Sequence, residues 1–328
     1  MNIASDGRNM NFGVLLPTRE VIIAGRSDPA SIYEVAGRAE ALGFHSVWVG
    51  DSLTARPRID ALTTLAAVGA RTRRVRLGTA IFLAALRHPI LLAYQLASLD
   101  WLTSGRIDLG VGYGRPKEPT QEHEFRILGL SPSARIKMTE ELIQVMRRLW
   151  RDNDVSHSGA FTNFDHVTLQ PKPVQSRGIP IWLASNNVEP GLRRVGRLGD
   201  GWLNNITSPE TYRECWNKIR AYAAEAGRDP QSIQPGLYFT VAAGGKDAVS
   251  EGQTFIAQYY NRPFEAVSKA MLCVSGSWDE VIDTIESYRE AGARMVVLRF
   301  ATSNQIGHLD SCAEFLARRG LLVNHPSI

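Results

Sequence analysis

The chain has 328 residues, 44% of them apolar, and a formal net charge of +4. The cationic excess is scattered, as at Arg71, Arg73, Arg74 and Arg76, and no basic stripe interleaved with aromatics argues for a nucleic-acid surface. Cys215, Cys273 and Cys312 share no redox or metal-ligand spacing, no apolar run reaches membrane length, and MNIASDGRNM lacks a signal-peptide core, so a soluble protein of a reducing, cytoplasmic setting is expected.

Met10 stands just ahead of the first apolar run, so residues 1–10 read as a loose tail on one domain that takes in the whole chain, 1–328. FGVLLP (12–17) has strand character and ends at Pro17. Over 30–43, Ile32, Val35, Ala36, Ala39 and Leu42 fall on one helical face, closed by Gly43. SVWVG (46–50) predicts the second strand, 59–70 a helix, VRLGTAIF (75–82) the third strand, and Pro89 opens a helix to about Leu102. RIDLGVG (106–112) predicts the fourth strand, then a loop holding Pro116 and Pro119, then a strong helix from Ser133 to Trp150. IPIWLA (179–184) is the fifth strand, with a helix behind it to Leu198, and DGWLN (200–204) the sixth, followed by helix over 208–227. GLYFTVAA (236–243) and MVVLRF (295–300) are the seventh and eighth strands, and the last helix runs from about Gln305 to Arg319.

Eight nearly all-apolar strands, each followed by helical sequence, predict the α/β class and a closed (β/α)8 TIM barrel of parallel strands buried on both faces. An open doubly wound sheet would place its glycine fingerprint after the first strand, which here ends in LLPTRE. Two insertions are expected: a hairpin over 152–178, before the fifth strand, and a long helical segment over 246–280, between the seventh and eighth.

A barrel builds its site from the residues past the carboxyl end of each strand. Here these are Pro17–Glu20, Asp51-Ser52, Ala80-Ile81, Tyr113-Gly114-Arg115, Ser185-Asn186-Asn187, Asn204-Asn205, Ala243–Gly245 and Arg299. They contain no metal-ligand cluster and no Ser-His-Asp set, and His88, His123, His157 and His166 fall on helix starts or loops. The alternating Gly110, Gly112 and Gly114 offer bare backbone but lack Rossmann or Walker spacing. A better anion site is ASNNVEPGLRRVG (184–196): a strand ends, small polar residues follow, and a helix opens near Pro190 with free N–H groups and a positive dipole end. Ser185 and Asn186 could add donors there; plain helix capping by Asn186 or Asn187 is the alternative.

These segments, together with AEALGFHSVWVGDSL, SGRIDLGVGYG, GRLGDGWL and GSWDEVIDTIESYREAGARMVVLRF, resemble the bacterial luciferase-like superfamily of FMN- and coenzyme F420-dependent oxidoreductases over residues 11–320. The resemblance implies a flavin-type cofactor at the carboxyl rim, its phosphate at the segment matching 184–190 and thus at Ser185, Asn186, Asn187, Val188 and Glu189. It implies a non-proline cis peptide at Ala80–Ile81 beneath the ring, with Gly112, Tyr113, Gly114 and Arg115 beside it. Many relatives end the second strand in Asp-His where this chain has Asp51-Ser52, and F420 members acting on glucose 6-phosphate carry a glutamate where Arg115 stands. A homodimer is also implied.

The expected function is a monooxygenase that takes reduced FMN from a separate NAD(P)H:flavin reductase and uses O2, through a C4a-peroxyflavin, to oxidise a small organic substrate. Coenzyme F420 with hydride transfer is the alternative, and a non-catalytic flavin-binding protein the third reading. Asp51, Ser52 and Arg299 are the candidate catalytic residues. Tyr259, Tyr260 and Phe264 mark a candidate lid in the 246–280 insertion.

Overall fold

The computed structural model describes residues 10–114 and 118–322. Its strands are β1 (Asn11–Leu15), β2 (Ser46–Val49), β3 (Arg76–Thr79), β4 (Ile107–Val111), β5 (Val155–Ser158), β6 (Asn163–Val167), β7 (Ile181–Ala184), β8 (Gly201–Leu203), β9 (Gln234–Ala243), β10 (Cys273–Gly276) and β11 (Met295–Phe300). Eight of these, in the order β1-β2-β3-β4-β7-β8-β9-β11, pair in parallel, and β11 returns to β1, closing the barrel. The helices are α1 (Glu20–Ile23), α2 (Ala30–Ala41), α3 (Ala61–Arg71), α4 (Pro89–Leu102), α5 (Pro119–Ile127), α6 (Arg135–Arg151), α7 (Glu189–Leu198), α8 (Pro209–Glu225), α9 (Lys246–Tyr260), α10 (Phe264–Ser268), α11 (Trp278–Glu290) and α12 (Gln305–Arg318). Several are started by the side chains that local chemistry favours. Asp60 accepts the Thr63 N–H at α3, and Ser277 with Glu280 forms a reciprocal capping box at α11.

The strands bury both faces, but differently. Outward residues such as Val14, Val47, Leu77, Leu109, Leu183 and Val296 pack under the helices in the main core. Inward, a separate cluster of Leu15, Trp48, Ala80, Trp182, Leu203, Met295 and Val297 fills the barrel. Trp48 and Trp182 meet edge to face, centroids 5.9 Å apart, and form a plug. Glycines give them room: a Cβ on Gly13 or Gly78 would overlap the Trp48 indole, and one on Gly201 would overlap Trp182. Below the plug, Arg76 pairs with Asp108 at 2.6 and 2.9 Å, and the Trp182 N–H reaches the same carboxylate at 3.3 Å. The barrel interior beneath the site is therefore filled, and the cavity lies at the carboxyl end above the plug.

The hairpin before the fifth barrel strand is present as β5–β6. The other insertion differs from expectation. It is two helices, α9 and α10, and then a strand, β10, whose Cys273–Gly276 pair with Thr240–Ala243. The cause is a length mismatch. The ten-residue β9 binds the three-residue β8 only through Gln234 and Pro235, which leaves its upper edge free for β10. The stretch read as a loop around Pro119 contains α5, because proline at the first helical position opens a helix instead of breaking one.

Candidate active site

The site begins where the third strand fails to continue. Thr79 turns its hydroxyl onto Gly110, donating to the glycine C=O and accepting its N–H, both at 2.9 Å. The ladder then resumes at Phe82, whose N–H donates to the Gly110 C=O at 2.7 Å. Gly78 faces Asp108 and Phe82 faces Val111, so β3 carries one residue more than β4 across this interval. It is a bulge. The bulge holds Ala80 and Ile81, joined by a cis peptide, where they line the cavity above the plug. The alternating glycines serve this contact. A Cβ on Gly110 would overlap the Thr79 carbonyl, a Cβ on Gly112 would overlap Ile81, and Gly114 has φ +70°.

The cavity over the bulge has a volume of about 490 Å³. Gly112, Tyr113 and Gly114 lie on its wall, as do Asp51, Ser52, Ser185, Asn186 and Val188. Arg115 lies outside the described residues. Asn187 and Glu189 are exposed and not part of the wall, and Glu189 pairs with Lys218 at 3.0 Å on the outer surface. The Tyr113 hydroxyl is buried without a hydrogen-bond partner of normal geometry; burial pushes its pKa up to about 12, so it stays a neutral donor. The Arg194 guanidinium lies 5.0 Å from the Tyr113 ring centre.

At the end of β7, the polar residues do not cap the next helix. Asn186 exchanges hydrogen bonds with Asn205, its Nδ2 donating to the Asn205 side chain at 2.7 Å and its Oδ1 accepting the Asn205 N–H at 3.1 Å. The N-cap position of α7 is Val188, with no side-chain cap. Pro190 has no N–H, and the Gly191 and Leu192 N–H groups donate to the Val188 C=O at 2.8 and 3.0 Å, so this end offers a ligand the Glu189 N–H and the positive end of the dipole, beside a Ser185 hydroxyl that donates to the Asn186 C=O at 3.0 Å. Gly191, in the first turn, makes room for the Ser185 hydroxyl, since a Cβ there would overlap Ser185 Oγ.

The candidate catalytic residues prove to be engaged. Both oxygens of Asp51 pair with Arg87, at 2.7 and 2.8 Å, and one also accepts the Leu83 N–H at 2.9 Å. Ser52 donates to Glu124 at 2.7 Å and accepts the Arg56 N–H at 2.9 Å. Asp51 braces the segment that follows the bulge, and Ser52 fastens its own loop onto α5. Asp51→Ala should therefore lower stability by about 1.5–3 kcal/mol, the range for a hydrogen bond to a charged group, visible as a lower melting temperature. Arg299 is 1% exposed and is set back from the cavity wall behind Tyr260, its Nη1 donating to the Tyr260 hydroxyl at 2.9 Å. Of the residues expected to mark a lid, Tyr259 and Tyr260 line the cavity, while Phe264 packs away from it with Ile256 and Met271.

Sequence reasoning passed over Arg58, Gly191, Arg194 and Tyr238. Tyr238 was within reach of a parity argument, since it shares the inward face of its strand with Gly236. Gly191 and Arg194 lie one helical turn apart in PGLRRVG. Arg58 carried no signal, because only folding returns its loop to the rim. Among the described residues no group of His, Cys, Asp and Glu could hold a metal ion, and no helix is long and apolar enough to cross a membrane.

A family model described as luciferase-like monooxygenase matches residues 10–295. An uncharacterized protein of Mycobacterium tuberculosis is 34% identical over 179 residues, 53% of this chain and 60% of that protein, so the chain matches less than two thirds of that relative's length. A phthiodiolone/phenolphthiodiolone dimycocerosates ketoreductase of the same species is 26% identical, over 79% of this chain and 84% of the relative. Among solved structures, the monooxygenase RslO1 from Streptomyces bottropensis superimposes with a TM-score of 0.78 at 25% identity, covering 95% of this chain and all of that one (100%). An F420-dependent secondary alcohol dehydrogenase with an F420-acetone adduct gives a TM-score of 0.79 at 23% identity over 94% and 98% of the two chains, a likeness of fold.

Proposed function

The chain belongs to the luciferase-like monooxygenase family, and from that premise we propose that its cavity binds reduced FMN and uses O2 to oxidise a small organic substrate. The observation that carries this reading is that two built features open on one cavity: the Ala80–Ile81 bulge, made possible by Gly112, and the uncapped start of α7 beside Ser185. A flat ring with a phosphate tail needs a shaped apolar support at one end and an anion site at the other, and the residues present fit such a group. Bound there, the flavin supplies the redox chemistry, and the protein supplies orientation and a dry, closed pocket.

Each residue then has a task. Ile81, backed by Gly112, supports the ring. Ser185, the Glu189 N–H and the positive dipole end of α7 hold the phosphate. Tyr113 offers its unpartnered hydroxyl as a donor, and Tyr259 and Tyr260 limit water at the mouth. Asp51 holds the segment after the bulge in place, and Ser52 fastens the loop at the second strand's end to α5. With no resident reductant in this reading, a separate NAD(P)H:flavin reductase delivers the reduced cofactor.

A second reading, carbonyl reduction by hydride transfer, is favoured by the relative named a ketoreductase, which matches most of both chains, and would use coenzyme F420 in place of FMN. Absorbance and fluorescence titrations with FMN and with F420 separate the two. Micromolar binding of FMN, with O2 uptake by the reduced complex across a substrate panel, is expected. F420 binding without O2 uptake would establish the second reading, and binding of neither would remove both.

A further inference from the structure

We propose that the wall of the cavity facing α9 is a carboxylate subsite, served by the guanidinium groups of Arg58 and Arg299 and the hydroxyl of Tyr260, so that the substrates are small organic acids. This rests on the cofactor occupying the bulge and the α7 end of the same cavity.

Arg299 ends β11 inside the barrel, 1% exposed. Its Nη1 donates to Tyr260, but Nε and Nη2 are buried with no partner. The guanidinium lies 4.4 Å from the Tyr259 ring centre and 5.0 Å from that of Tyr260. Arg19 is similar: Nη2 donates to the Tyr259 C=O at 3.0 Å, and Nε and Nη1 are buried without partners. Arg58 lines the cavity, lies against the backbone of Gly50, and spends only its Nε, on the Arg56 C=O at 3.2 Å. Arg56 is different, since Glu118 neutralises it at 2.8 and 2.9 Å.

Among the described residues, Arg19, Arg58 and Arg299 make no ion pair within 4.0 Å. The acid set among them is Glu20. It accepts the Arg19 backbone N–H at 3.2 Å, and burial pushes its carboxyl pKa up. The tyrosines and Glu20 around Arg299 favour its charged form, but its Nε and Nη2 remain unused donors, and a bidentate carboxylate is the partner that best matches a guanidinium's donor fork. Tyr260 connects the two sides. Its oxygen is occupied by Arg299, so its own hydrogen is free to be donated, and the residue faces the cavity. The neighbouring wall is Leu15, Leu203 and Tyr238, which suits the carbon skeleton of an organic acid better than a bare inorganic anion.

The test is calorimetric titration of the FMN-loaded and the cofactor-free chain with benzoate, with the neutral isostere benzamide, and with inorganic phosphate. Benzoate is expected to bind at least about tenfold tighter than benzamide, and Arg58→Gln and Arg299→Met each to remove that preference while leaving FMN affinity in place. Arg299→Met deletes a buried side chain and is accompanied by a melting curve; Arg58→Gln, on the cavity wall, decides the matter if that variant does not fold. Equal binding of benzoate and benzamide, an unchanged preference in Arg58→Gln, or phosphate binding tighter than benzoate would each overturn the proposal. So would an equal loss of FMN and benzoate affinity in Arg58→Gln, which would assign the arginines to the cofactor tail. Benzoate preference in a chain that binds neither FMN nor F420 would uphold the subsite and defeat the cofactor reading.

Discussion

Trp48→Ala is expected to lower stability by about 3–5 kcal/mol, the cost of deleting a large buried aromatic side chain. Trp48 is fully buried, meets Trp182 edge to face, and fills the space that Gly13 and Gly78 leave. The surroundings cannot collapse onto the void. The strands around it are fixed by a closed ring of parallel hydrogen bonds, and part of the backbone against the indole is bare glycine, at Gly13 and Gly78. The control is Trp101→Ala on α4, where the side chain is 60% exposed and the change should stay within about 0.5 kcal/mol. Thermal and denaturant unfolding of both variants measures the difference. Similar losses in the two would mean that the inner cluster is not a distinct element of stability.

Gly191→Val is expected to weaken FMN binding about 100-fold, or about 2.7 kcal/mol, and to cost about 1–3 kcal/mol of stability by overpacking. The new Cβ would occupy the space of Ser185 Oγ, and its methyl groups would crowd the uncapped start of α7. Valine is no worse than glycine in a helix, so the fold should survive. Riboflavin, which has no phosphate, supplies the internal comparison. Its affinity should change far less, so the preference for FMN over riboflavin should shrink. If FMN and riboflavin weaken in parallel, or neither changes, the phosphate is not held at α7. Under the F420 reading, the same comparison is made between F420 and its tail-less deazaflavin core.

How much of the site was legible in the sequence varies by residue. The candidate anion site could be marked from the sequence because a helix start is a local feature: small polar residues after a strand and proline near the first turn suffice to mark it. What the asparagines do there was not legible. Asn186 could cap α7 or bond elsewhere, and the choice depended on Asn205, nineteen positions away and brought alongside by the pairing of β7 with β8. The glycine alternation was visible as a pattern without a cause, since its causes, Thr79 and Ile81, stand on the adjacent strand. Asp51 looked catalytic from its place at a strand end, and only the approach of Arg87 showed both oxygens in use.

By itself the sequence determined the order of strands and helices, the closed barrel they imply, and the rim that carries the site, because periodicity, caps and strand ends are encoded by neighbours along the chain. The tertiary structure alone decided the bulge in the third strand, the tenth strand on the open edge of β9, the tryptophan plug, and the gathering of Arg19, Arg58 and Arg299 around Tyr259 and Tyr260. Each of these depends on atoms far apart in the chain meeting at van der Waals or hydrogen-bond distance, and such meetings are set by strand register and packing, which no local stretch of residues specifies.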